Sequence, residues 1–333
     1  TAATTALVQF EIDQPLVKLS RMIGHEAARQ AWRRSRLAVF NLKGRVEALD
    51  LNCRMKSTWS LYLAGTSLGP SELNREAEAR RYAGIDASYL TRQQLGDQFG
   101  IERSAAIVSY DNLALDPRKL TSGLLLAALA RKARFYAPVE AVSAEDNRLG
   151  VVVATREGPT IAAKHLVLTT GYELLDMVPS ANHRVISTWA MATAPQPRRI
   201  WPHAAMIWEA SDPYLYLRAT SDGRVICGGE DEEFIDEGRR DALTLVKTDR
   251  LMKKLAELFP QLDVRAEFAW SGSFGTTTTG LPIIGTVPHH PRIHAVMGYG
   301  GNGITFSQIA SELISATIAG EVDMDAGLFA LDQ

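Results

Sequence analysis

The segment from Trp270 to Thr305 places glycines where an apolar strand meets a helix. Residues 293–297 form a short apolar run typical of a buried strand, and residues 304–319 repeat apolar side chains at helical spacing. Between them lie Gly298, Gly300, Gly301 and Gly303. The first N–H groups of a helix have no intrahelical partner and favour anions or electron-rich carbonyls, and glycine lets such a ligand approach closely. The pattern therefore predicts a ligand site formed by backbone amides.

The glycines alone leave two interpretations open. Gly298, Gly300 and Gly303 match the spacing G-x-G-x-x-G. A dinucleotide-binding fingerprint also needs a second strand that ends in an acidic residue about 20 residues further on. Residues 320–333 follow the helix and show no strand pattern. The glycines are therefore either a ligand site or a turn that only lets the helix pack on the strand.

Composition limits the class of protein. The 333 residues are 46% hydrophobic, which is enough for a large core and predicts two domains. A net charge of -2 gives no reason to expect a nucleic acid or an anionic membrane surface as partner. Only two cysteines, Cys53 and Cys227, are present, which predicts a cytoplasmic protein. The longest apolar run, residues 123–130, is far too short to span a bilayer.

Periodicity predicts a mixture of helices and strands. Helical patterns cover residues 15–46, 71–99 with breaks at Gly84 and Gly96, 116–133 with Asp116 as N-cap, and 241–259 with a leucine stripe that includes Leu245. Strand patterns cover residues 57–64, 135–143, 149–155, 160–169, 185–193, 205–210, 214–220 and 224–230. The run that ends at Thr170-Gly171 is apolar throughout and predicts a buried parallel strand. The last four strands predict an antiparallel sheet.

Two segments carry a family resemblance. Residues 279–285, Thr-Gly-Leu-Pro-Ile-Ile-Gly, and residues 298–304, Gly-Tyr-Gly-Gly-Asn-Gly-Ile, resemble the C-terminal signature of the D-amino-acid-oxidase-like FAD-dependent oxidoreductases, which include glycine oxidase and sarcosine oxidase. The resemblance covers nearly the whole chain. It implies an α/β fold with two domains. The FAD-binding, Rossmann-like domain comprises residues 1–45, 113–180 and 271–333, and the antiparallel-sheet substrate domain comprises residues 46–112 and 181–270.

In this family a βαβ unit with a G-x-G-x-x-G turn precedes a Ser/Thr/Ala-rich loop that is similar to residues 1–7. The resemblance therefore implies that this first unit, which holds the ADP half of FAD, is missing from the chain. The implied cofactor is FAD, and non-covalent binding is expected because the motifs contain neither His nor Cys.

The resemblance also implies which residues contact FAD. Val139 would lie beside the adenine and Thr170-Gly171 near the pyrophosphate, while the backbone of residues 300–304 would stabilise the reduced flavin. No catalytic side chain and no metal site are expected. The full implied set is Thr4, Thr5, Ala6, Leu7, Val139, Thr170, Gly171, Pro282, Ile283, Gly285, Gly298, Gly300, Gly301, Asn302, Gly303, Ile304 and Thr305.

The predicted substrate wall lies on the antiparallel sheet. Alternation places Tyr214, Tyr216 and Arg218 on one strand face, and Trp270 and Phe274 complete the set. Amino-acid oxidases of the family commonly have a carboxylate-binding Arg at the position of Phe274, so its absence argues against a simple α-amino acid substrate. Arg218 is either a replacement for that Arg or a surface residue.

The expected function is oxidation of a C–N bond of an amine or amino acid, with hydride transfer to flavin N5. The alternative is a non-catalytic fragment or binding module of the same fold that no longer holds FAD. The sequence does not determine the substrate, the electron acceptor or the oligomeric state.

Overall fold

Helices and strands alternate along the computed structural model, which describes residues 3–331. Thr1 and Ala2, part of the predicted loop of residues 1–7, lie outside the described residues. The helices are α1 (Leu16–Ile23), α2 (His25–Ala48), α3 (Pro70–Tyr82), α4 (Arg92–Phe99), α5 (Pro117–Ala130), α6 (Glu237–Ala242), α7 (Thr244–Leu258) and α8 (Gly303–Ala319).

The described residues also form fourteen strands. These are β1 (Lys56–Leu63), β2 (Ala87–Thr91), β3 (Ala105–Ala114), β4 (Ala141–Asn147), β5 (Gly150–Thr155), β6 (Ile161–Ala163), β7 (Leu166–Leu168), β8 (His183–Thr193), β9 (Met206–Glu209), β10 (Leu215–Ala219), β11 (Val225–Glu232), β12 (Ala266–Thr277), β13 (Ile283–Val287) and β14 (His290–Met297).

Eight strands form one large sheet in the order β12-β8-β11-β10-β9-β1-β3-β2. All neighbours in it are antiparallel except β1 and β9, where Ser60 lies opposite Met206 in a parallel pair. Helix α7 covers one face through the buried residues Leu251, Leu255 and Leu258. The predicted antiparallel sheet is therefore present and larger than the four predicted strands.

The strand–glycine–helix unit has the predicted order. Strand β14 pairs with β13 antiparallel and with β7 parallel, with Ile293 opposite Leu166. A 3-10 turn, Gly300–Asn302, then leads into α8. The helix ends at Gly320, whose φ of 76° is the left-handed conformation that favours glycine. The mixed α/β fold class is confirmed.

Residues 71–114 differ from the sequence prediction. Strand β2 interrupts the predicted run of helices, and Gly96 lies inside α4 instead of breaking it. Helix α4 begins directly after β2 because Thr91 and Gln94 form a capping box. Strand β3 was not predicted because its first five residues are all buried, which removes the alternation that marks a half-exposed strand.

Four further predictions on length and burial were wrong. Residues 135–140 are not in a strand, and the predicted strand of residues 160–169 is two strands, β6 and β7, in different sheets. Val167 in β7 is 38% exposed, so that strand is not buried throughout. Leu245 is 79% exposed, because it points away from the sheet that α7 covers.

The domain boundaries stay a prediction. Strands β3 and β12 run without a break through the boundaries predicted at 112/113 and 270/271.

Cys53 and Cys227 are both buried and unpaired. Between residues 3 and 331, no helix combines the length and the apolar character that crossing a bilayer would require.

An extended segment, residues 8–13, connects the large sheet to α8. Val8, Phe10 and Ile12 are fully buried, and Phe10 N donates to Asn112 Oδ1 at 3.0 Å. Asn112 Nδ2 donates to Ser60 Oγ at 3.0 Å, and Ser60 Oγ donates to Glu11. Strands β1 and β3 therefore hold this segment through buried polar side chains.

A buried ion pair fixes the chain directly after this segment. Arg80 Nε donates to Glu76 Oε1 at 2.8 Å, and both side chains are almost fully buried. Glu76 also accepts from Leu16 N and Val17 N at 2.9 Å each, so its carboxylate caps the start of α1. The Arg80 guanidinium lies 4.7 Å from the centre of the Trp32 ring.

We expect Glu76→Ala to lower the free energy of unfolding by about 3–5 kcal/mol, because it removes the closest carboxylate from the buried Arg80 charge and leaves only Glu11, at 3.9 Å. The exposed Glu78→Ala in the same helix is the matched control and should change it by less than about 0.5 kcal/mol. Denaturation in guanidinium chloride measures both values. Equal values for the two variants would contradict the role of Glu76.

Candidate functional site

A cavity of about 740 Å³ lies between the large sheet and the start of α8. This volume is within the range of about 300–1,000 Å³ that is typical of sites for small molecules and cofactors. One side of its wall is formed by residues 4–7, the start of α5 and residues 300–304. The other side is formed by aromatic and small residues of β8, β9, β10 and β12 and the turn before β10.

The N-terminus of α8 is joined to the extended segment by three hydrogen bonds. Gly301 N donates to Asp13 Oδ2 at 2.9 Å, and Asn302 Nδ2 donates to the carbonyl of Glu11 at 2.5 Å. Thr305 Oγ1 donates to the carbonyl of Gln9 at 2.8 Å. These bonds fix the position of the helix start relative to residues 9–13.

Backbone amides at this helix start lie at the cavity wall. The first N–H groups of a helix have no acceptor inside it, and Gly303 and Ile304, the first two residues of α8, both line the cavity. Gly300 has a φ of 53°, and a Cβ there would clash with Asp13 Oδ2. Glycine is therefore required at position 300 both for the backbone conformation and for the close approach of Asp13.

Two side chains of the large sheet hold the loop of residues 4–7. Trp270 Nε1 donates to the carbonyl of Ala3 at 2.8 Å, and Arg218 Nε donates to the carbonyl of Thr5. Arg218 is 6% exposed, lies outside the cavity wall, and burial lowers its pKa to about 10. The structure thus places Arg218 against the loop, neither at the protein surface nor facing the cavity.

The sheet side of the cavity is aromatic. The Tyr214 and Tyr216 rings lie 5.5 Å apart, and Trp208 stacks on Tyr62 with ring centroids 3.8 Å apart. Tyr216 pairs across the strands with Gly228, where a Cβ would clash with the Tyr216 ring. The missing side chain of Gly228 therefore lets Tyr216 lie flat against the sheet.

Two carboxyl groups lie in or beside the cavity. Burial raises the pKa of Asp13, although its hydrogen bond from Gly301 N partly offsets this effect, and Asp13 keeps solvent-accessible surface in the cavity wall. Burial also raises the pKa of Asp231 to about 6 against the lowering effect of the neighbouring Thr188 and Tyr214 hydroxyls. The pKa of Tyr214 is raised well above its usual value by burial and by Asp231.

Most of the predicted site residues lie together in the cavity wall. They are Thr4, Thr5, Ala6, Leu7, Gly171, Gly300, Gly301, Asn302, Gly303, Ile304, Tyr214, Tyr216, Trp270 and Phe274. The others do not line the cavity: Val139, Thr170, Pro282, Ile283, Gly285, Gly298, Thr305 and Arg218. Ile283 and Gly285 belong to β13, and Val139 is 51% exposed.

Several wall residues were not predicted. Gln9 and Asp13 come from the extended segment, Trp208 from β9, and Tyr172 follows Gly171. The alternation of Val8, Phe10 and Ile12 with polar residues was a usable signal for Gln9 and Asp13, because it predicts an extended strand with a polar face.

Across residues 3–331 no group of three or more His, Cys, Asp or Glu is arranged to hold a metal ion.

Comparisons with known proteins agree with this architecture. The probable oxidoreductase OrdL of Rhizobium meliloti (strain 1021) is 25% identical over 74% of this chain and 57% of its own length. The gamma-glutamylputrescine oxidoreductase of Escherichia coli (strain K12) is 24% identical over 72% of this chain and 55% of its own length. The chain thus spans little more than half the length of these two curated relatives.

A solved structure and a family model complete the comparison. The crystal structure of glycine oxidase from Geobacillus kaustophilus superposes with a TM-score of 0.73 at 19% identity, covering 96% of this chain and 84% of that one. This similarity shows a shared fold. The family model DAO, FAD dependent oxidoreductase, matches residues 2–317. The chain therefore belongs to the DAO family of FAD-dependent oxidoreductases.

Proposed function

We propose that this chain oxidises a C–N bond of an amine or amino acid, with FAD as the hydride acceptor at N5. The observation that supports the proposal is the single cavity in which the amide-rich start of α8 faces an aromatic sheet wall. One side offers hydrogen-bond donors to an electron-rich ring system. The other side offers apolar and aromatic surface to a small substrate.

The residues present fit the isoalloxazine end of FAD. Gly303 and Ile304, at the start of α8, line the cavity, and Gln9 Oε1 is a buried acceptor without a partner among the described residues. The residues that would hold the cofactor are Thr4–Leu7 and Gly300–Ile304. When bound, FAD supplies the chemistry of hydride acceptance, and the protein supplies position and electrostatics.

The start of α8 has an electrostatic role in this proposal. The partial positive charge at a helix N-terminus stabilises negative charge that develops next to it, as an oxyanion hole does. The three hydrogen bonds to residues 9–13 hold these donors in place before the substrate arrives. Little reorganisation is therefore needed during the reaction.

The sheet wall orients the substrate. Tyr214, Tyr216, Trp270 and Phe274 enclose the cavity on the side opposite the helix start. Correct orientation of the reacting C–H bond is a major part of the catalytic effect that such a wall can supply. The names of similar proteins, a glycine oxidase and a gamma-glutamylputrescine oxidoreductase, support an amino compound as the substrate of this chain.

Incubation with FAD followed by desalting tests cofactor binding. We expect the purified chain to keep absorption bands near ~370 and ~450 nm, which belong to the flavin. Gly300→Ala should weaken FAD binding about tenfold or more, because a left-handed Ala costs roughly 1–2 kcal/mol and its Cβ clashes with Asp13. The control is Gly44→Ala in α2, where a Cβ has open space. A wild-type chain that loses FAD would instead support the non-catalytic binding module.

A second prediction concerns the substrate wall. Gly228→Ala should displace the Tyr216 ring and lower kcat/KM for the amine substrate by about 10- to 100-fold, since displacements near 1 Å have effects of that size. FAD retention should stay unchanged. Gly96→Ala in α4, where a Cβ meets no atom within 4 Å, is the control and should leave steady-state kinetics unaltered. Unchanged kinetics in Gly228→Ala would remove Tyr216 from the substrate wall.

A further inference from the structure

We propose that the substrate is a cationic amine with no carboxylate next to the reacting C–N bond, and that Asp13 with the Tyr214 and Tyr216 rings holds its positive charge. This inference rests on the proposed function and narrows its substrate class. It follows from the sign of the charge in the cavity wall, from the unpartnered acceptor Gln9 Oε1 and from the aromatic surface.

The described part of the cavity wall has charge of one sign. Asp13 is its only acidic residue, and no Lys, Arg or His lies among the described lining residues. The other ionisable groups of the wall are tyrosines, and burial raises the pKa of Tyr214 and Tyr216, so both stay neutral. A ligand inside this wall therefore meets one acidic side chain, whose carboxylate form is favoured by the hydrogen bond from Gly301 N, and no cationic side chain.

Cationic side chains that contact wall residues or residues next to them are engaged with other groups. Arg218 donates to the carbonyl of Thr5. Arg240 Nη1 donates to Ser273 Oγ at 2.7 Å, and its guanidinium pairs with Asp241 at 3.3 Å and with Glu237 at 3.6 Å. Arg240 is therefore already neutralised by two carboxylates.

Lys247 is paired in the same way behind the wall. Its ammonium lies 2.7 Å from Glu232 Oε1 and 3.6 Å from Glu230 Oε2, and it packs 4.6 Å from the centre of the Trp189 ring. None of these three side chains lines the described cavity wall, where a substrate carboxylate would need a cation. A carboxylate in the cavity would lose its hydration without gaining a charged partner.

A buried acceptor of the wall favours a ligand that donates hydrogen bonds. Gln9, which is 5% exposed, has no partner for Oε1 among the described residues. The Thr188 and Tyr214 hydroxyls are engaged by Asp231, which does not line the cavity. Trp208 Nε1 is an unpartnered donor, but a neutral indole cannot balance the charge of a carboxylate.

Aromatic faces complete a site for a cation. Tyr214, Tyr216, Trp208, Trp270 and Phe274 all line the cavity. A cation within about 6 Å of such a ring is attracted by the negative face of its π system, and the attraction is stronger where water is excluded. Phe274 adds apolar surface to this wall.

Two probes of similar size and opposite charge test the inference. Benzyltrimethylammonium and benzoate share a phenyl ring, and isothermal titration calorimetry on the full chain, with and without FAD, measures the affinity of each. We expect the cation to bind and Asp13→Asn to weaken its binding about tenfold or more, because a hydrogen-bonded charge is lost. Asp97→Asn, an exposed position on α4, is the matched control and should have no effect.

Benzoate that binds more tightly than benzyltrimethylammonium would overturn the inference, and so would an unchanged cation affinity in Asp13→Asn. If circular dichroism shows that Asp13→Asn does not fold, Tyr214→Leu and Tyr216→Leu replace it. Each substitution should weaken the binding of benzyltrimethylammonium without strengthening the binding of benzoate. Unchanged affinities in both leucine variants would also overturn it.

Anaerobic flavin reduction separates this inference from the proposed function. We expect 1,4-diaminobutane or N-methylbutylamine to bleach the band near ~450 nm faster than glycine does. Bleaching by glycine alone would support the function and contradict the cationic substrate class. Tight binding of benzyltrimethylammonium without bleaching by any amine would contradict the function and support the cation site.

Discussion

The site depends on the hydrogen bonds that join residues 9–13 to the start of α8. Asp13 accepts from the backbone N–H of Gly301, and the carbonyls of Glu11 and Gln9 accept from the side chains of Asn302 and Thr305. The same contacts place a carboxylate and a free amide oxygen at the cavity. The donors that would contact a flavin and the acceptors that would contact an amine are therefore positioned by one set of bonds.

This arrangement is stable because the extended segment is held by buried polar groups. Glu11 accepts from Ser60, which accepts from Asn112, while Arg80 and Glu76 fix the chain where α1 begins. Buried charges are costly when unpaired, so small displacements of this network are strongly disfavoured. The large sheet therefore fixes the position of the α8 amides through the buried contacts of residues 8–13.

The two sides of the cavity have different chemical tasks. The helix side uses backbone amides, which are neutral donors, and glycine at position 300 lets Asp13 approach them. The sheet side uses Tyr214 and Tyr216, and Gly228 provides the space in which Tyr216 lies. Arg218 holds the loop at Thr5, and no Lys, Arg or His lies among the described residues of the aromatic wall. The electrostatics of the cavity therefore favour a positively charged substrate.

The sequence by itself determined the elements that depend on local interactions. These are the strand–glycine–helix unit that ends at Gly320, the helix that begins after Asp116, and the aromatic face of β10. The tertiary structure decided which distant residues meet at the cavity, because periodicity shows that a face is buried without showing what covers it. Asp13 reaches Gly301 only through the fold, and Arg218 turns to Thr5 because the loop carbonyl lies within reach.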